Sequence, residues 1–100
     1  MEDLIKELEH FFENENNLYF WLRHNKGLNE ESLVELLELL DRIGGELRGE
    51  TMIEKRLAFL LTGVAPYSMY FDVQPYSQSE LDRIFHAQDA LMSKIEEILS

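Results

Sequence analysis

LAFLLTGVAPYSMYF, residues Leu57–Phe71, holds no charged side chain in a chain of 100 residues whose formal net charge is -11. So long an uncharged run in so acidic a chain belongs either to the buried centre of the fold or to a surface kept for a partner. The neutrality extends past the run. Residues 51–75 sum to zero, with Lys55 and Arg56 set against Glu54 and Asp72, and the other three quarters of the chain are each negative.

Thr51 with Glu54 three residues later forms a capping-box pattern, which starts a helix ahead of the uncharged run. That helix presents Ile53, Leu57, Leu60, Leu61 and Val64 on one side and carries Met52 and Phe59 elsewhere on its circumference. A helix apolar nearly all round is central to its fold. Gly63 and Pro66 end or kink it, and PYSMYFDVQPYSQS, from Pro66 to Ser79, reads as a short helical turn followed by an ordered loop. The last helix starts at Ser77 or Ser79, each with an acidic residue three positions on, Glu80 or Asp82. Its expected buried stripe is Leu81, Ile84, Phe85, Leu91, Met92, Ile95, Ile98 and Leu99, interrupted by Gln88.

Upstream, Asn29 caps a helix whose first turn carries Glu30 and Glu31, and Leu28 is placed to staple onto Leu33. The stripe of that helix is Leu33, Leu36, Leu37, Leu40, Ile43 and Leu47. Gly44 lies on it, and close approach of another helix would compensate its propensity cost of about 1 kcal/mol. Before Gly27, the natural left-handed cap, Leu4, Leu8, Phe11, Phe12, Leu18, Tyr19 and Leu22 hold one helical phase through the patch Glu13-Asn14-Glu15-Asn16-Asn17. We expect a continuous first helix, with a break near Asn16 and Asn17 as the alternative. The fold class is all-α: one domain spanning 1–100, a small, roughly antiparallel four-helix bundle with its first helix in one or two pieces and an irregular Tyr/Pro-rich connection before the last.

Hydrophobic residues make up 45% of the chain, enough for a core, so the charge does not imply disorder. Twenty acidic residues against nine Lys and Arg oppose direct nucleic-acid binding, because phosphate contacts need clustered cations. There is no cysteine, which excludes disulfides, thiolate catalysis and Cys-based zinc sites. The first residues lack a basic signal-type region and no apolar run approaches a membrane span, so a cytoplasmic location is expected.

Glu7 and His10 have the spacing of a metal-binding carboxylate and imidazole, but the pair occurs once and His10 points away from the Leu4–Leu8–Phe11 stripe. Asp82, His86 and Asp89 share a helix face expected to be solvated, and His24 sits where it offsets a helix dipole. No phosphate loop or serine motif is present, so neither an enzyme, a cofactor nor a metal is expected. Glu15 falls on the apolar phase of a continuous first helix; it is either wet at a bend or buried against Arg42, Arg56 or Arg83.

The expected function is that of a small acidic interaction protein, such as an immunity protein or inhibitor, bound to a protein with a basic surface. Its candidate contacts are Phe20 and Trp21, the acidic residues Glu31, Glu35 and Glu38, and the loop residues Tyr67, Tyr70 and Tyr76. The alternative is a homodimer, or a scaffolding oligomer, joined through residues 51–75.

Overall fold

The computed structural model describes residues 1–100, and every element in it is helical. The elements are α1 (Glu2–Glu13), α2 (Leu18–Arg23), α3 (Glu30–Glu46), α4 (Lys55–Phe59), a π-helical turn (Leu60–Val64), α5 (Ala65–Ser68) and α6 (Gln78–Leu99). They form an all-α four-helix bundle whose limbs are α1 with α2, α3, the helical run 55–68, and α6. Helix α3 packs against α1, α2 and α6, while the π turn packs on α1. One core cluster draws a side chain from every limb, including Ile5, Leu8, Tyr19, Leu40, Leu57, Leu61, Ile84 and Leu91. No helix is long and apolar enough to cross a membrane.

The first limb is split, which corrects the expected continuous helix. Asn17 is buried at 4% exposure and bonds in both directions. Its Nδ2 donates to the Phe11 carbonyl at 2.8 Å and the Phe12 carbonyl at 3.3 Å, while its Oδ1 accepts from the Phe20 amide at 2.8 Å. One amide thus closes the C-terminal carbonyls of α1 and caps the N-terminus of α2, satisfying groups that a helix end leaves unpaired. The bend leaves Glu15 exposed in the turn. Its three candidate arginines are engaged elsewhere: Arg42 with Glu7 at 2.9 Å, Arg56 with Glu2 and Glu9, and Arg83 with Glu30. Gly27 has a left-handed φ of 87°, but Asn25, at φ 58°, is the first left-handed residue after α2.

The bend is stitched to α3. Asn29 Oδ1 accepts from the Ser32 amide at 3.1 Å as the expected cap, and its Nδ2 donates to the Asn16 carbonyl at 2.9 Å. The buried Ser32 hydroxyl accepts from the Leu18 amide at 2.9 Å. On α3 the buried apolar residues are Leu36, Leu39, Leu40 and Ile43, so the buried face includes Leu39, while Leu33, Leu37 and Leu47 are only half-buried. A helix flanked by α1 on one side and α6 on the other buries a broader face than a single stripe. Gly44 does face α6, as a Cβ there would lie 3.5 Å from Ile98 Cγ1, an ordinary contact.

The Thr51–Glu54 capping box does not form: α4 begins at Lys55, and Glu54 occupies the cap position without a side-chain hydrogen bond. Downstream the helix widens. The Ala65 amide bonds to the Leu60 carbonyl, five residues back, and Thr62 Oγ1 donates to the Ala58 carbonyl at 2.7 Å, a back-bond that bends helices. Pro66 has no N–H to offer the Thr62 carbonyl in α register, so a widened turn lets the chain continue helical into α5. At the start of α6 the capping box is complete, Ser77 Oγ accepting from the Glu80 amide and Glu80 Oε1 from the Ser77 amide.

Every ion pair joins two helices: Arg42 and Arg56 tie to α1, and Arg83 and Lys94 tie α6 to α3, the latter through Asp41 at 2.6 Å. Hydrogen bonding to Arg56 holds the Glu2 carboxyl below its ordinary value of 4.5.

As a helix cap alone, Asp would serve as well as Asn. Because Asn17 must also donate, Asn17→Asp should cost about 2 kcal/mol at neutral pH, read from the shift in the urea midpoint. Glu2 has a folded pKa below its unfolded one, so its contribution is complete above pH 4.5 and fades as the pH falls through the lowered folded value. The difference in melting temperature between wild type and Arg56→Gln should therefore be small at neutral pH, as befits an exposed pair, and close on acidification.

Candidate protein-binding face

The helical run 55–68 divides the uncharged stretch between inside and outside. Leu57, Leu60, Leu61 and Ala65 are buried in the core. Phe59, Tyr67 and Tyr70 stand on the outside, exposed at 65%, 73% and 77%. Gly63 lies between Phe59 and Tyr67 at four-residue spacing, and its missing side chain leaves room for the Phe59 ring: a Cβ there would sit 3.2 Å from Phe59 Cδ1 and Cε1. Tyr67 and Tyr70 meet edge to face with ring centroids 6.3 Å apart. Large rings grouped on the surface of a small domain mark a contact surface more often than isolated ones do.

Beside these rings runs a groove of about 330 Å³ lined by Pro66, Met69, Tyr70, Phe71, Val73 and Phe85. Gln88 lines it as well. The polar interruption in the α6 stripe donates from Nε2 to the Met69 carbonyl at 3.0 Å, which holds the end of the α5 segment to α6. Phe71 and Phe85 pack at a centroid distance of 6.0 Å. Phe85, expected in the buried stripe, is 44% exposed, because α6 turns its core side through Ile84, Ala87, Leu91 and Ile95. Leu99 is likewise exposed.

Tyr76 leaves the candidate surface. It is a buried residue whose hydroxyl donates to the Leu22 carbonyl at 2.9 Å and accepts from the Gly27 amide at 3.2 Å. One phenol therefore serves both ends of the α2–α3 connection and anchors the loop ahead of α6. Phe71 packs across it at 5.8 Å.

The remaining candidates lie elsewhere on the molecule. Phe20 is half-buried, stacked on His24 at 3.9 Å with the Lys26 ammonium 5.6 Å from its centroid, and His24 Nδ1 lies 2.9 Å from the Phe20 carbonyl at the end of α2. Trp21 is half-buried too, and its Nε1 is enclosed without a hydrogen-bond partner, as is the hydroxyl of fully buried Tyr19. Burial pushes the Tyr19 phenol above its ordinary pKa. Glu31, Glu35 and Glu38 are exposed on α3; Glu31 and Glu35 border a separate polar concavity with Asn14, Asn16 and Asn29. The acidic stripe and the tyrosines thus face different concavities. His10 is exposed while Glu7 is committed to Arg42, and no three His, Asp or Glu side chains converge on a point.

Two aromatic contributors lay outside the expected site. Phe59 could have been found from its spacing to Gly63, Tyr67 and Tyr70; Phe85 carries no such signal, since its phase on α6 is intermediate between core and solvent.

The burial contrast among the tyrosines is testable. Tyr76→Phe should lower stability by about 1–2 kcal/mol in chemical denaturation, through loss of a buried donor–acceptor link. Tyr67→Ala should stay within about 0.5 kcal/mol of wild type. No protein-family model, curated protein or solved structure matches this chain, so its functional reading rests on the geometry of this face.

Proposed function

We propose that the chain is a non-catalytic protein-binding module that seats a partner with a basic surface on the aromatic face of residues 59–73, as an immunity protein or inhibitor would. The observation that carries the reading is the set of three rings, each about two thirds exposed or more, Phe59 and Tyr67 on the helical run and Tyr70 two residues past its end. Rings of this kind supply short-range binding energy at little conformational cost, since a Tyr has only two side-chain torsions to fix.

The charge distribution complements them. The aromatic face belongs to the only neutral quarter of the chain, and the rest of the molecule supplies the -11 field. Such a field accelerates encounter with a basic partner without requiring desolvated ion pairs at the contact itself. A second copy of this chain would bring the same field, which disfavours self-association through the same face.

The test is affinity capture with the wild type and with the Tyr67→Ala/Tyr70→Ala double variant, alongside light scattering of the purified protein. The expected result is a monomer that retains a basic protein at low salt, loses it at about 1 M salt, where the Debye length is about 3 Å, and loses it in the double variant. A dimer mass that the double variant abolishes would instead establish the homodimer. Retention unaffected by the double variant would refute this face as the binding surface.

A further inference from the structure

The connection between α3 and α4 carries a helix-start signal that the fold leaves unused. Thr51 and Glu54 have capping-box spacing, yet Glu54 is extended at ψ 138° and α4 begins only at Lys55. In consequence the backbone amides from Thr51 to Leu57 find no acceptor within the protein, although Leu57 is a core residue. The first turns of α3 and α6, by contrast, are closed by Asn29 and by the Ser77–Glu80 box. At the other end of the connection α3 finishes in Gly44-Gly45-Glu46. Gly44 faces Ile98 on α6, but a Cβ at exposed Gly45 would meet nothing within 4 Å. Packing makes no demand for a glycine at position 45, and its remaining effect is to weaken the last turn of the helix. The two ends bound a concavity of about 610 Å³, lined in part by Gly44, Gly45, Leu47, Met52 and Ile53.

We infer that this connection is a two-state device that passes one helical turn between α3 and α4 and so reshapes the concavity. In the state described above, α3 runs to Glu46 and residues 52–54 are not helical. In the other, α4 starts at Met52 under a Thr51 cap and the last turn of α3 is unwound. Growth of an existing helix needs no new nucleus. It gives the amides of Lys55, Arg56 and Leu57 the carbonyls of Thr51, Met52 and Ile53, and the capping box serves the amides of Glu54 and Thr51. Ile53, now half-buried against the core, stays on the core side because it lies one turn before Leu57. Met52 is 84% exposed and has little burial to lose. Winding three extended residues shortens the chain by about 5 Å, at about 1.5 Å rather than about 3.3 Å per residue. The Leu47–Glu50 turn is held closed by the Glu50 amide on the Leu47 carbonyl at 2.9 Å, so the length comes from the end of α3. Bonds gained at α4 are matched by bonds given up around Gly45, which keeps the two states close in free energy. An occupant of the concavity that fits one arrangement of its wall better than the other shifts the exchange.

The experiment is NMR relaxation dispersion with saturation-transfer exchange on the isotopically labelled full chain, as wild type, Thr51→Ala and Gly45→Ala. The expected result is one exchange process shared by residues 44–47 and 51–57, whose minor state has helical Cα shifts at 52–54 and non-helical shifts at 45–47. Thr51→Ala removes the cap of the minor state, and Gly45→Ala strengthens the α3 turn of the major one. Each should therefore lower the minor population about fivefold, and at both ends of the connection. Independent fraying would not carry either effect across: Gly45→Ala would then quiet α3 alone, and Thr51→Ala would leave α3 unchanged. Exchange at one end only, unequal rates at the two ends, variant effects confined to their own end, or flat dispersion throughout would each overturn the proposal.

Discussion

The side-chain amide of Asn17 is the constraint on which the rest of this bundle depends. Its donor group closes the carbonyls at the end of α1 and its oxygen caps α2, so the direction of the first limb changes at one buried residue. Ser32 and Asn29 then fix that bend against the start of α3. With α2 set in place, the Leu22 carbonyl and the Gly27 amide converge on the Tyr76 hydroxyl, which anchors the loop that follows α5. The position of the aromatic face is thus inherited, through a chain of polar contacts with few alternatives, from a residue in the first limb. Buried polar groups of this kind specify one arrangement because each unmade bond carries a large penalty.

The electrostatics follow a similar logic. A molecule with this excess of carboxylates repels itself, and the cations that form ion pairs all reach between helices rather than along one. Individually such exposed pairs contribute little, but their placement relieves repulsion where acidic helix faces come together.

Much of the architecture was legible in the sequence wherever a local rule coincided with the tertiary demand. Asn29 and the Ser77–Glu80 box cap their helices as their spacing requires, and the leucine phases place α3 and α6 in the core. Thr51 failed the same rule because helix α4 is set by its packing, through Leu57 and Leu60, and begins only at Lys55. Asn17 was visible only as a poor helix former; that its amide would bond in both directions depends on two helix ends brought together by the fold. Tyr76 and Phe85 exchanged their expected environments for a comparable reason. A phenol's burial is decided by whether distant backbone groups converge on its hydroxyl, and a residue at the margin of a stripe is decided by which neighbour lies beside it. Of the candidate site, Tyr67 and Tyr70 could be picked out from composition, but their separation from the acidic face of α3 could not, since that depends on which helices become neighbours.

The π turn at Leu60–Val64 gives the display of these tyrosines an unusual geometric origin. A five-residue hydrogen-bonded turn holds one residue more than its α-helical counterpart, and one residue of an α-helix corresponds to about 100° of rotation about the axis. Everything after the turn is therefore rotated relative to α4 by an amount equivalent to a single inserted amino acid. The widened turn acts as a register offset: Leu57 and Leu61 keep their places in the core while the α5 side chains are dealt to a different sector of the cylinder. In a lineage of such chains, the gain or loss of one residue between Phe59 and Pro66 would change what the molecule shows to its surroundings far more than most substitutions in its surface, while leaving the preceding half of the core untouched.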